Sequence, residues 1–100
     1  MSANRLSVDL RRLRMTFLLD FYGNLLTEKQ RETLTLYCNE DYSLAELAER
    51  YGTSRQGVHN SIRHSEKKLL DIEQKLDLLR RFGDLPEELK QHFANGRVEE

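Results

Sequence analysis

A single cysteine, a single proline and no tryptophan stand among the 100 residues, and each scarcity narrows the reading. One cysteine, Cys38, excludes an internal disulfide and argues for no particular redox compartment. One proline and five glycines leave few places where a helix has to stop. No charge dominates either: 16 Lys and Arg against 17 Asp and Glu give a net charge of −1, which says little about partners. Long apolar runs are missing as well. The stretch from Leu6 to Leu19 contains Asp9, Arg11, Arg12 and Arg14, so it is neither a signal-peptide core nor a membrane span. A cytoplasmic location is the default expectation. There is no glycine-rich phosphate loop. His59 and His64 are five residues apart, hence on different sides of a helix, and Cys38 and His92 have no motif around them. No catalysis, cofactor or metal is expected.

Apolar residues make up 38% and charged residues 33%, a balance that suits amphipathic helices folded as one domain over residues 1–100. The first stripe runs Leu6, Leu10, Leu13, Phe17, Phe21, Leu25 and is widened by Met15, Leu18, Leu19 and Tyr22. Arg11, Arg12 and Arg14 are expected on its solvated face. Thr27 to Gln30 and Ser43 to Glu46 are capping boxes, each opening a helix. Leu34, Tyr37 and Cys38 face inward on the first of these helices, and Leu44, Leu47, Ala48 and Tyr51 on the second. Thr53 to Gln56 offers a third capping box. The helix it opens meets no stop signal until Gly83, which at 1.5 Å per residue makes it roughly 40 Å long. Pro86, Glu87 and Glu88 then start a short helix over about 85–94, carrying Leu89 and Phe93. The expected fold is all-α, with about five helices and no wing.

Two short helices meeting at Gly52 and Thr53 form a helix-turn-helix over about 43–68, and its second helix continues to about 82. Ala48 is small where the second helix must cross, Gly52 supplies the positive φ of the turn, and Val58 pins the second helix down. Counting 100° per residue from Val58 puts Ile62, Ser65 and Leu69 within about 40° of it. Gln56, His59, Asn60, Arg63, His64 and Lys67 fall on the other side, with no acid among them. Such side chains can read base edges or hold phosphates. Ser54 and Arg55 stand at the helix N-terminus, where free amides and the positive dipole end suit a phosphate. A polar outer face is also what an ordinary surface helix carries. The coincidence of Ala48, Gly52, the capping residues and the missing acids favours nucleic acid.

Phe21-Tyr22, Leu25-Leu26-Thr27-Glu28-Lys29-Gln30, Asp41 through Glu49 and Ser54-Arg55-Gln56-Gly57-Val58 closely resemble the YlxM family. The likeness covers roughly Phe17 to Leu76. These are small bacterial helix-turn-helix proteins whose genes lie beside that of the signal-recognition-particle GTPase. Their helix-turn-helix is similar to the promoter-reading region 4 of sigma factors. The resemblance implies an accessory or regulatory role in that pathway, through the particle's RNA, its GTPase or both. It leaves open a DNA-binding transcriptional regulator using the same face, and a protein-binding adaptor that needs no nucleic acid.

Beyond Ile62 the inward positions continue as Ser65, Leu69, Ile72, Leu76 and Leu79, a heptad seam broken only by Ser65. Such a seam must be covered. The first helix is one candidate and a second copy of the chain, giving a homodimer, is the other.

Overall fold

Capping chemistry sets most of the helix boundaries. The computed structural model describes the backbone of residues 3–96 and the side chains of residues 10–91. Six α-helices and one short 3-10 helix follow in order: α1 (Ala3–Tyr22), the 3-10 turn (Gly23–Leu25), α2 (Glu28–Asn39), α3 (Leu44–Tyr51), α4 (Arg55–Leu76), α5 (Leu78–Phe82) and α6 (Glu87–Gly96). No strand occurs among the described residues. Both reciprocal capping boxes form, Thr27 with Gln30 at α2 and Ser43 with Glu46 at α3. The expected third one does not. Ser54 is the N-cap of α4 and accepts from the Gly57 amide at 2.9 Å, so the position that would reach back is a glycine without a side chain.

One core joins the helices. α1 lies against α2, α4, α5 and α6, and α4 lies against α3 and α2. Leu18, Leu34, Leu47, Leu69, Leu79 and Leu89 are completely buried. The inner face of α1 is Met15, Leu18, Leu19 and Tyr22, whereas Leu13, Phe21 and Leu25 of the expected stripe are exposed. The rotation has a polar cause. It turns Arg14 inward onto Glu66 of α4, with 3.2 Å between Nη2 and Oε2. It also brings the Tyr22 hydroxyl to Glu73 of α4. Arg12 and Arg14 are therefore not a solvated face: Arg12 donates to the Tyr37 carbonyl at 2.8 Å and stacks on the Tyr37 ring. Only Arg11 of the three is exposed. Leu6 and Phe93 lie outside the described side chains.

The long helix ends sooner than its seam suggests. Asp77 adopts the left-handed conformation (φ 55°, ψ 27°), so α4 stops at Leu76 and α5 leaves in a new direction. Glu73 makes this break possible. Its carboxylate accepts from the amides of Leu79 (3.0 Å) and Arg80 (2.9 Å), the first donors of α5 left without helical partners. The Tyr22 hydroxyl donates to Glu73 and accepts from the Leu78 and Leu79 amides. The break returns α5 and α6 to α1, where Leu79, Leu85 and Leu89 are buried. The seam is thus covered from within the chain. Ile62, Ser65 and Leu69 are buried and Ile72 half-buried, and Leu76 at the end is exposed.

Candidate nucleic-acid interface

The turn between α3 and α4 fixes which side of α4 faces outward. Gly52 has φ 64°, its amide donates to the Glu49 carbonyl at 3.4 Å and that of Thr53 to the Ala48 carbonyl at 3.0 Å, closing α3 with the bonds of a Schellman turn. Beyond its chain neighbours no atom among the described residues lies within 4 Å of where a Gly52 Cβ would stand, so glycine is needed there for its conformation alone. At Gly57 a Cβ would come close to two side-chain hydroxyls, Thr53 at 2.9 Å and Ser54 at 3.2 Å, so Thr53 would have to turn aside. Leu47 and Ala48 of α3 and Val58 and Ile62 of α4 are buried, which locks the rotation of α4 about its axis.

That rotation carries Arg55, Gln56, Asn60, Arg63, His64 and Lys67 outward as expected, all exposed, and leaves His59 half-buried at the margin. Ser54 is exposed, but its hydroxyl is engaged in the cap. Gln56 donates from Nε2 to Asn60 Oδ1 at 3.0 Å, coupling two amides one turn apart. Arg55 and Arg63 make no ion pair among the described residues, so both guanidinium groups face solvent. Lys67 lies 3.6 Å from Asp71, the first carboxylate on this side of the helix. The one acid between Arg55 and Lys67, Glu66, is buried against Arg14. The surface of the first four turns is consequently cationic and amide-bearing although the whole chain is nearly neutral. Pairing Glu66 inward was not legible in the sequence, because nothing in the spacing shows that Arg14 and Glu66, 52 positions apart, meet.

A second set of cations lies elsewhere and is engaged. Arg50 pairs with Glu32 at 3.6 Å, and Lys29 sits over the Tyr51 ring, whose hydroxyl donates to Glu32. These contacts tie α2 to α3. Among the described residues, no three His, Cys, Asp or Glu side chains come together as a metal site. No helix among those residues is long and apolar enough to cross a membrane.

Comparison with known proteins agrees with this architecture. Residues 10–99 match the UPF0122 family, described as "Putative helix-turn-helix protein, YlxM / p13 like". The UPF0122 protein of Halalkalibacterium halodurans is 48% identical over 79 residues, covering 79% of this chain and 72% of that protein. That of Anoxybacillus flavithermus is 49% identical over 84 residues, 81% of this chain and 76% of its own length. UPF0122 protein YlxM of Bacillus subtilis is 44% identical over 90 residues, 87% of this chain and 81% of its own. With a helix-turn-helix at its centre and identities of this size over most of its length, the chain belongs to the UPF0122 family of YlxM-like helix-turn-helix proteins.

Proposed function

We propose that this protein binds nucleic acid through the outward face of α4 and acts as an accessory of the signal recognition particle. One observation carries the reading. A short capped helix and a Schellman turn hold α4 so that Arg55, Gln56, Asn60, Arg63 and Lys67 face solvent together, while Glu66 is drawn into the core. Ser54 and Arg55 at the helix start, and His59 and His64 at the flanks, complete the surface. Two guanidinium groups that make no ion pair among the described residues, and a lysine, would neutralise about three phosphates, so affinity should fall with salt by a log–log slope near −2 to −3. The pathway follows from the likeness to the YlxM family, whose genes adjoin that of the particle's GTPase. The GTPase is the protein partner of choice, with the particle's RNA as the polyanion.

A side-by-side titration with signal-recognition-particle RNA and a mixed-sequence DNA duplex at physiological salt tests the assignment. Preferential binding of the RNA supports the accessory role. Preference for the duplex replaces it with transcriptional regulation on the same face, since the major groove of B-form DNA admits a helix and that of A-form RNA does not. Binding to neither, with capture by the GTPase alone, makes the protein an adaptor.

A further inference from the structure

The cations of the α4 face account for affinity, and phosphate contacts carry no base information. The two coupled amides between them do. Gln56 and Asn60 stand on the first two turns of α4, where a recognition helix brings side chains to base edges. Both are exposed, and the Gln56 Nε2 to Asn60 Oδ1 bond of 3.0 Å holds them as one unit. Each amide carries an acceptor oxygen and a two-proton donor nitrogen. That bond uses one proton of Gln56 Nε2 and one lone pair of Asn60 Oδ1; the groups it leaves wholly free are the Gln56 Oε1 acceptor and the Asn60 Nδ2 donor. Exchanging the oxygen and nitrogen of both amides again leaves one amide oxygen and one amide nitrogen wholly free.

We infer that the Gln56–Asn60 pair selects adenine by its N6–N7 edge. Adenine offers an N6 donor beside an N7 acceptor on that edge, the complement of the free acceptor and donor of the pair. Guanine offers two acceptors there, O6 and N7, and suits an arginine or lysine fork instead. Cytosine offers the N4 donor and thymine the O4 acceptor, so neither matches both groups. Arg55 and Arg63 on either side hold the backbone while the amides read the base. This inference rests on the nucleic-acid reading of the α4 face. The same edge is open in the major groove of B-form DNA and on an unpaired adenine of RNA.

The test uses labelled hairpin duplexes with alternating A·T or alternating G·C stems, and a third whose adenines are replaced by 7-deazaadenine. The replacement removes N7 and leaves Watson–Crick pairing intact. Single-stranded oligoriboadenylate, its 7-deaza form and oligouridylate make a second arm. We expect adenine-bearing probes to bind about ten-fold more tightly than the others, within the range of one good bidentate contact. The advantage should vanish with 7-deazaadenine and in the Gln56→Ala, Asn60→Ala double variant, whose helix content by circular dichroism should match the parent because both side chains are exposed. An advantage in the duplex arm assigns the edge to the B-form groove, and one in the single-strand arm assigns it to unpaired adenine. Equal binding of all probes, or an N7-dependent preference that survives in the double variant, overturns the inference while leaving the nucleic-acid reading in place. Binding to none of the probes at low salt overturns that reading, and this inference with it.

Discussion

Replacing Tyr22 by phenylalanine removes one oxygen from the core and should separate two roles of α4. That hydroxyl donates to the buried carboxylate of Glu73 and accepts from the amides of Leu78 at 3.2 Å and Leu79 at 3.3 Å. In Tyr22→Phe the Leu79 amide keeps Glu73 Oε1 at 3.0 Å, whereas the Leu78 amide loses the acceptor described for it. A hydrogen bond to a charged group contributes about 1.5–3 kcal/mol, and a part-buried orphan N–H adds a further penalty of about 1 kcal/mol. The expected loss is about 2–4 kcal/mol, read as a lower urea midpoint at unchanged slope. For a domain of this size each kcal/mol lowers Tm by about 4–8 °C. The effect has a pH signature as well. Burial, reinforced by the hydrogen bond to Glu73, raises the Tyr22 hydroxyl from 10.0 to about 12. The folded state therefore holds a proton that the unfolded chain releases from pH 10 upward. The tyrosine's contribution is whole below pH 10 and declines through pH 12, by about 1.4 kcal/mol per pH unit. The variant should lose that part of the alkaline slope. Nucleic-acid affinity should stay within two-fold, because Glu73 lies ten residues beyond Arg63, roughly 15 Å along the helix. A destabilisation below about 0.5 kcal/mol, or an alkaline profile identical to the parent's, would refute the reasoning.

Gly52→Ala should cost about 1–2 kcal/mol, since an alanine must adopt φ 64° although beyond its chain neighbours its Cβ meets no described atom within 4 Å; Gly52→Asn should cost less, and chemical denaturation ranks the two. Arg14→Met removes the partner of a carboxylate whose side chain is 11% exposed, and a loss of about 3–5 kcal/mol is expected. Adding Glu66→Leu to that variant should recover most of it, and a double-mutant cycle without recovery would show that the pair is not the cause. Cys38 should be slow to alkylate at pH 8, because burial pushes its thiol from 9.0 up to about 11 and leaves about a hundredth of the usual thiolate. Timed reaction with iodoacetamide, native against urea-unfolded, checks it.

The parts of the fold that obey local rules were legible in the sequence. The capping boxes at Thr27 and Ser43 and the turn at Gly52 depend on residues three or four apart, and all three form. The outward set on α4 followed from helical periodicity once Val58 was taken as the inward reference, and the structure exposes all of it except His59, which is half-buried at the margin. Long-range polar pairing was not legible. The face that α1 presents and the end of α4 are settled by Arg14 with Glu66 and Tyr22 with Glu73, pairs more than fifty residues apart. No stop signal stands at Asp77. The helix breaks because Glu73 supplies the acceptors that a new helix start requires and because Leu79, Leu85 and Leu89 gain burial near α1. The third cap moved by one residue for a local reason: Ser54 and Gly57 have the same three-residue spacing as the other caps, and the Gly57 amide donates to the Ser54 hydroxyl.

The central claim, that the outward face of α4 holds a polyanion, is tested most directly by salt-dependent titration of the parent and the Arg63→Ala, Lys67→Ala variant against signal-recognition-particle RNA. Both side chains are exposed, so helix content should be unchanged and the unfolding free energy should hold within about 0.5 kcal/mol. The log–log salt slope should become shallower by about two, with a matching loss of affinity at physiological salt. An unchanged slope and affinity in the variant would contradict the claim and move the contact to another face of the protein.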